Sequence, residues 1–231
     1  MNESIKNTQN RLAKFISDVI QNSPHLKDKK VINAMLSVDR ALFVPKEYTH
    51  RAYDISVIGL DGYTLSEPGL VGYMIQSLDI KPSDTILDIG SGSGYHAGIM
   101  SRLCKAVYGV EVLPHAVERS RRSLKQSNCN NVFIKLGDGW DGWKEHAPYD
   151  LINVACSADK IPITLLEQLK VGGKMIIPLD ISTEKDDYEL WQKLSLITKK
   201  GEPSENENCL PHYTIKELTS VRFVPMIHTY H

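Results

Sequence analysis

The central part of the chain, residues 85–178, alternates short apolar segments with segments of helical periodicity, and this alternation strongly constrains the fold. Five strands are predicted, at residues 85–89, 106–111, 132–136, 149–154 and 174–178. Helices are predicted between them, at residues 95–104, 114–127 and 163–169. Apolar strands separated by helices are typical of a parallel sheet with both faces covered. The pattern therefore predicts an α/β fold with a doubly wound, mostly parallel sheet.

The flanking regions are predicted to extend this core at both ends. Helical periodicity occurs at residues 12–20, 28–38 and 70–78, and irregular chain is expected at residues 43–66. After Asp180, two apolar segments at residues 189–197 and 220–227 predict an antiparallel pair of edge strands. We therefore expect one domain over residues 1–231. It would comprise a small N-terminal helical extension over residues 1–80, a βαβ core over residues 81–180, and C-terminal edge strands over residues 181–231.

Composition and charge exclude several functional classes. The chain has 231 residues, 42% of them hydrophobic, which suffices for one core. A formal net charge of −1 provides no field that would attract nucleic acid or an anionic membrane. Residues 1–20 have neither the apolar run of a signal peptide nor the length of a membrane span, so a cytoplasmic location is expected. Neither a metal site nor an oligomeric state is indicated, and the cysteines are widely spaced: Cys104, Cys129, Cys156 and Cys209.

A glycine-rich segment joins the first predicted core strand to the helix that follows. It contains Gly90, Ser91, Gly92 and Gly94. Closely spaced glycines allow the backbone to approach a ligand, and the free N–H groups of the next helix point towards it. Tyr95 stands where a dinucleotide-binding fingerprint has its third glycine. The segment therefore indicates a cofactor site, but not one for a nicotinamide dinucleotide.

Three acidic residues lie at the ends of predicted strands. Asp88, just before the glycine segment, is placed to face the ammonium of a methionine moiety. Glu111 ends the second core strand, where a carboxylate commonly accepts hydrogen bonds from ribose hydroxyls. Asp138, with Gly139, follows the third strand and is placed to meet an adenine edge. Each acid alone is more often a solvated strand-end residue, but their shared position at the carboxyl ends of parallel strands favours a ligand site.

Several blocks of the sequence, in the same order, resemble the protein-L-isoaspartate O-methyltransferases. They are VDRALFVP at residues 38–45, GYTLS at 62–66, the glycine segment, GDG at 137–139, APYD at 147–150, LLEQL at 165–169 with the two glycines at 172–173, and VRFVP at 221–225. The resemblance covers nearly the whole chain from about residue 31.

The resemblance implies a Rossmann-like methyltransferase fold with S-adenosylmethionine as methyl donor, S-adenosylhomocysteine as product, and no metal. The implied substrate is the free α-carboxylate of an L-isoaspartyl residue in a damaged protein or peptide, so the implied role is protein repair. The active-site serine of the family corresponds to Ser66. Thr64 and Tyr63, in the same block, are expected on the substrate side.

Two departures from the family pattern leave alternatives open. Family members commonly have glutamine where this chain has Tyr63, and a neutral residue where it has Glu67. A carboxylate at Glu67 would repel an anionic substrate unless the side chain turns away. Alternative hypotheses are a methyltransferase of the same scaffold that acts on an aspartate of a specific peptide precursor or on a small carboxylic acid, and a non-catalytic peptide-binding protein. Without the resemblance, Ser66 would be interpreted as a turn residue or as the N-cap of the following helix.

Overall fold

The computed structural model describes residues 3–180, 192–202 and 211–228. The helices of this part, α1 to α6, span Glu3–Asn22, Lys29–Leu36, Pro68–Leu78, Tyr95–Met100, Pro114–Gln126 and Ile163–Glu167. The strands, β1 to β9, span Ile58–Gly59, Thr64–Leu65, Thr85–Ile89, Ala106–Glu111, Val132–Leu136, Tyr149–Val154, Leu169–Asp180, Gln192–Gly201 and His212–Val221. Short 3₁₀ helices occur at Arg40–Phe43, Lys46–Arg51, Gly139–Asp141 and Lys144–His146.

Strands β3 to β9 form one sheet in the order β5-β4-β3-β6-β7-β8-β9. The pairs between β3 and β7 are parallel, and β7, β8 and β9 pair antiparallel. The predicted doubly wound, mostly parallel sheet with an antiparallel C-terminal strand pair and N-terminal helices is therefore confirmed. Strand order reverses between β3 and β6, and an open sheet of this type binds its ligand at the carboxyl ends of the strands beside such a switch point.

Helices cover both faces of this sheet because their buried side chains recur at helical spacing. In α3 the buried residues Val71, Met74, Ile75 and Leu78 form one stripe, and they join a core that also contains residues of α1, α2, α4 and α5. A second core, on the other face, packs residues of β6 and β7 against α6. Continuous apolar strands are expected where both sheet faces are buried in this way.

The C-terminal strands differ from the prediction. Residues 189–191 of the first predicted edge strand lie outside the described residues, and the strand β8 continues to Gly201. The last strand is His212–Val221, so its predicted position at residues 220–227 is wrong. Both faces of β9 are exposed along most of its length, which removes the alternation of buried and exposed residues that would mark it in the sequence.

Residues 222–228 follow β9 as extended chain that crosses the carboxyl ends of the strands. The N–H of Ser157 donates to the carbonyl of Val224 at 2.8 Å, and the N–H of Met226 donates to the carbonyl of Ser157 at 2.7 Å. Gln192, in β8, accepts a hydrogen bond from the N–H of Phe223 at 2.7 Å. This segment, which we call the C-terminal segment, thereby closes one side of the site described next.

Candidate active site

A cavity of about 300 Å³ lies at the carboxyl ends of β3, β4 and β6. Its wall is formed by the glycine loop after β3, the end of β4, the segment 62–64, the C-terminal segment, and the residues that follow β5 and β6. Among the lining residues are Gly62, Tyr63, Thr64, Gly90, Gly92, Glu111, Leu113, Gly139, Cys156 and Met226. The volume is at the lower end of the range of small-molecule sites, about 300–1,000 Å³.

The glycine loop needs glycine at three positions because its backbone is left-handed there. Gly90, Gly92 and Gly94 have φ angles of 72°, 51° and 85°. A Cβ atom at Gly90 would lie 3.2 Å from the sulfur of Cys156, and one at Gly94 would lie 3.1 Å from the Cβ of Ser120. The loop therefore presents bare backbone with little room for side chains at Gly90 and Gly94, which is the shape required for close approach of a ligand.

Glu111 fixes this loop to the end of β4. Its Oε2 accepts the N–H of Gly92 at 2.7 Å, and its Oε1 accepts the N–H groups of Val112 and Leu113 at 2.8 and 2.9 Å. The side chain is nearly buried yet still lines the cavity. Since a carboxylate has about four lone-pair positions, Glu111 retains capacity for a further donor such as a ribose hydroxyl.

Asp138 follows β5 and does not line the cavity, whereas Gly139 beside it is part of the wall. Its Oδ1 accepts the N–H of Trp140 at 2.8 Å, and its Oδ2 lies 3.1 Å from Nδ1 of His228. The His228 ring also stacks on Trp140, with centroids 5.3 Å apart and planes at 18°. Asp138 is therefore engaged by the C-terminal segment, a contact that the sequence did not indicate.

Two predicted cofactor residues, Asp88 and Ser91, are buried behind the loop and are not part of the cavity wall. The Ser91 hydroxyl donates to the carbonyl of Asp88 at 3.0 Å. Asn153 Nδ2 donates to Asp88 Oδ1 at 2.7 Å and lies 3.1 Å from Nδ1 of His96. Burial raises the pKa of Asp88 to about 6 and lowers the pKa of His96 to about 4. Sequence reasoning missed Asn153, a polar residue inside the apolar strand β6.

Ser66 follows β2, and in the sequence it stands between a residue that lines the cavity and one that lines a neighbouring groove. Thr64 lines the cavity, whereas Glu67 lines the groove, which has a volume of about 290 Å³ and includes His25 and Tyr73. The hydroxyl of Ser66 is half-buried, and it has no hydrogen-bond partner among the residues that the structure describes. It therefore remains available as a donor.

The N-cap of α3 is Glu67 and not Ser66. Oε1 of Glu67 accepts the N–H of Gly69 and its Oε2 accepts the N–H of Leu70, both at 2.7 Å. The interpretation of Ser66 as a helix cap is therefore wrong. The Glu67 carboxylate is turned into the helix N-terminus, where the partial positive charge of the helix stabilises it.

Arg40 lies behind residues 52–66 and holds them in place. It is fully buried, and its guanidinium donates to three carbonyl oxygens: those of Ala52 at 3.0 Å, Ser66 at 3.0 Å and Ser56 at 3.4 Å. It also lies over the ring of Tyr95, 5.4 Å from the centroid. The residue belongs to the block at 38–45, so the signal was present, but its contact with Ser66 was not foreseen.

The structure places Tyr63 in the cavity wall. Its ring lies against the glycine loop, since a Cβ atom at Gly92 would be 3.2 Å from its Cδ2. Its hydroxyl accepts a hydrogen bond from Arg119 at 3.0 Å. Arg119, on α5, is half-buried.

Metal-binding clusters and membrane-spanning helices are both absent from the described residues. No group of three or more histidine, cysteine, aspartate or glutamate residues is arranged there to hold a metal ion. Within the same part of the chain, every helix is too short or too polar to cross a membrane.

Comparison with known proteins gives a consistent result. The family model described as Protein-L-isoaspartate(D-aspartate) O-methyltransferase (PCMT) matches residues 10–230. A protein-L-isoaspartate O-methyltransferase of Ignicoccus hospitalis is 40% identical over 207 residues, which cover 88% of this chain and 91% of the relative. One of Fervidobacterium nodosum is 42% identical over 202 residues, covering 86% and 94%.

Solved structures agree with this result. A structure named protein-L-isoaspartate O-methyltransferase has a TM-score of 0.74 and 27% identity, and the match covers 92% of this chain and 65% of that one. A Plasmodium falciparum structure named for the same enzyme, in complex with S-adenosyl-L-homocysteine, has a TM-score of 0.74 and 24% identity, covering 95% and 98%. This second likeness concerns the fold alone. The chain therefore belongs to the protein-L-isoaspartate(D-aspartate) O-methyltransferase family.

Proposed function

We propose that this protein transfers a methyl group from S-adenosylmethionine to the free α-carboxylate of L-isoaspartyl residues in damaged proteins and peptides. The observation that carries the proposal is the composition of one cavity wall. Glu111 and the glycine loop form one side of it, and Thr64, two residues before Ser66, forms another. The elements expected to bind the donor and the block typical of this family thus border the same space.

The residues of the cavity fit the donor. Gly90 and Gly92 leave backbone accessible where any side chain would intrude, and Glu111 offers acceptor capacity for ribose hydroxyls. Gly139 and the C-terminal segment bound the end proposed for adenine. Asp88 and Ser91 support this site indirectly by holding the loop, and Gly94 does so by beginning α4. When bound, S-adenosylmethionine supplies an electrophilic methyl group on its sulfonium.

Ser66 is proposed to position the substrate carboxylate. A carboxylate with a reference pKa of about 4 is already ionised at neutral pH, so the reaction needs no general base. The requirement is alignment of the carboxylate oxygen with the methyl carbon and sulfur, and orientation of this kind lowers barriers by about 7–11 kcal/mol in well-ordered sites. The hydroxyl of Ser66, which has no partner among the described residues, is suited to hold one carboxylate oxygen while the other attacks.

The environment of Ser66 is compatible with an anionic substrate. The positively charged Arg40 lies directly behind it, and the Glu67 carboxylate is engaged by two N–H groups of α3. Beyond Glu67, the neighbouring groove with His25 and Tyr73 offers space for residues that flank the isoaspartyl position. We infer that a peptide reaches the cavity from this side.

The direct test uses labelled S-adenosylmethionine and a pair of peptides that differ only in an isoaspartyl or a normal aspartyl linkage. We expect methyl transfer to the isoaspartyl peptide and none to its partner. Transfer to both, or to neither while the donor binds, would contradict the proposal. The second result would favour a specific peptide precursor, a small carboxylic acid, or peptide binding without catalysis.

A further inference from the structure

Tyr63 closes the cavity over the glycine loop. Tyr63 is only 7% exposed, and its ring contacts the backbone at Gly92. Glycine at position 62, with a φ angle of 77°, turns the chain so that the ring faces inwards. A Cβ atom at Gly62 would lie 3.2 Å from Leu113, so this turn is packed directly against the residue that follows β4 and precedes α5.

Two side chains of α5 fasten the same turn. Arg119 donates to the Tyr63 hydroxyl at 3.0 Å, and Nε2 of His115 lies 2.9 Å from the carbonyl oxygen of Asp61. His115 and Arg119 are four residues apart and thus share one face of the helix. The turn is therefore attached to the helix that follows Glu111, the proposed ribose ligand.

We propose that Tyr63, held by Arg119, is a cofactor-binding residue that packs over the donor in the cavity, and that it does not contact the isoaspartyl substrate. The inference deepens the proposed function and rests on it. It also gives a role to a residue for which family members commonly have glutamine. A tyrosine supplies a large rigid ring that covers the donor, and its hydroxyl keeps that ring in place.

The charges around the hydroxyl explain how the contact is maintained. Glu111 and Asp61 lie near Tyr63, and Arg119 is the cation that faces it. Burial raises the pKa of the Tyr63 hydroxyl, so the phenol stays neutral and accepts the hydrogen bond from the guanidinium. A hydrogen bond to a charged group contributes more to stability than one between neutral groups.

The test measures binding of S-adenosylhomocysteine, which cannot react, to the full chain by calorimetry. Tyr63→Phe keeps the ring and removes the hydroxyl that holds it in place before the ligand binds, so we expect the dissociation constant to rise about tenfold. Arg119→Met should have a similar effect. The double variant should be no weaker than either single variant, because both remove one interaction. Arg122→Met, an exposed position on the same helix, is the matched control and should bind as the wild type does.

Two further measurements keep the inference separate from the proposed function. Thermal unfolding of each variant reports whether the fold is retained, and the KM for an isoaspartyl peptide reports the substrate side. Tyr63→Gln, which introduces the residue common in the family, should weaken the binding of S-adenosylhomocysteine more than Tyr63→Phe does. It should leave the peptide KM unchanged. A higher peptide KM with unchanged affinity for S-adenosylhomocysteine would overturn the inference and return Tyr63 to the substrate side. A wild-type protein that binds no S-adenosylhomocysteine would instead overturn the proposed function itself.

Discussion

Glu111 is the residue for which the structure predicts two separable effects, and Glu111→Gln tests both. Its carboxylate accepts three backbone N–H groups, one from the glycine loop and two from the start of the next segment. Glutamine has the same shape but only one oxygen. Its better orientation keeps the oxygen at the two N–H groups of Val112 and Leu113 and turns the amide NH₂ towards Gly92.

The magnitude follows from that lost contact. The N–H of Gly92 would face another donor in a nearly buried place, and an unsatisfied buried donor costs about 1–3 kcal/mol. For a chain of this size, each kcal/mol lowers the melting temperature by about 2–4 °C, so a loss of about 2–12 °C is expected. Loss of the charged acceptor for the ribose should also weaken the binding of S-adenosylhomocysteine about tenfold.

Thermal unfolding of the free protein and calorimetric titration with S-adenosylhomocysteine measure the two effects independently. Glu118→Gln, an exposed glutamate on α5, is the control and should change neither value. An unchanged melting temperature would refute the argument that Glu111 holds the glycine loop. An unchanged affinity, with a lowered melting temperature, would remove Glu111 from the proposed cofactor site while leaving its structural role intact.

Three other predictions concern the remaining parts of the site. Ser66→Ala should lower kcat by about 100-fold and leave the dissociation constant of S-adenosylhomocysteine unchanged, because misplacement of a reactant affects only turnover; kinetics and calorimetry together would reveal an equal loss in both if the role is wrong. Glu67→Ala should lower the free energy of unfolding by about 1 kcal/mol, the usual effect of losing a helix cap, as measured by urea unfolding. The third prediction concerns pH, since burial raises the pKa of Asp88 from 3.8 to about 6 and lowers the pKa of His96 from 6.5 to about 4. As the pH rises from about 4 to about 6, Asp88 ionises in the unfolded chain but stays protonated in the native state, which lowers the stability of the native state. His96 has the opposite effect, because over the same range its proton is held only by the unfolded chain. In Asp88→Asn the first contribution is absent, so the free energy of unfolding should rise more steeply with pH than in the wild type, and a shallower rise would contradict the assigned shifts.

The parallel core was predictable because its central strands β3, β4 and β6 are buried on both faces. Strands β4, β5 and β6 have the predicted bounds, since each is a short apolar segment between turn residues. Strand β9 was not predictable in this way. Tyr213 and Ile215 are 36% and 48% exposed, so the apolar residues of this edge strand do not report a buried face.

Residues of the site were predictable where backbone geometry alone determines their position. Gly90, Gly92 and Glu111 follow from spacing relative to strand ends, and all three line the cavity. The contacts of Arg40 and Arg119 were not predictable, because they join positions 26 and 56 residues apart in the sequence. Such contacts depend on how residues 52–66 pack against α5 and the core, which no local pattern encodes.

Both residues that depart from the family pattern make contacts that keep their polar groups away from the substrate carboxylate. Glu67 adds a negative charge, but that charge is bound by the N-terminus of α3 and lies near the guanidinium of Arg40. Tyr63 is neutral and is held by Arg119 against the glycine loop. Neither residue therefore presents an unpaired negative charge to an anion at Ser66. Because repulsion of the substrate was the physical reason to doubt isoaspartyl methylation, these contacts remove that objection and leave the peptide assay to test the substrate directly.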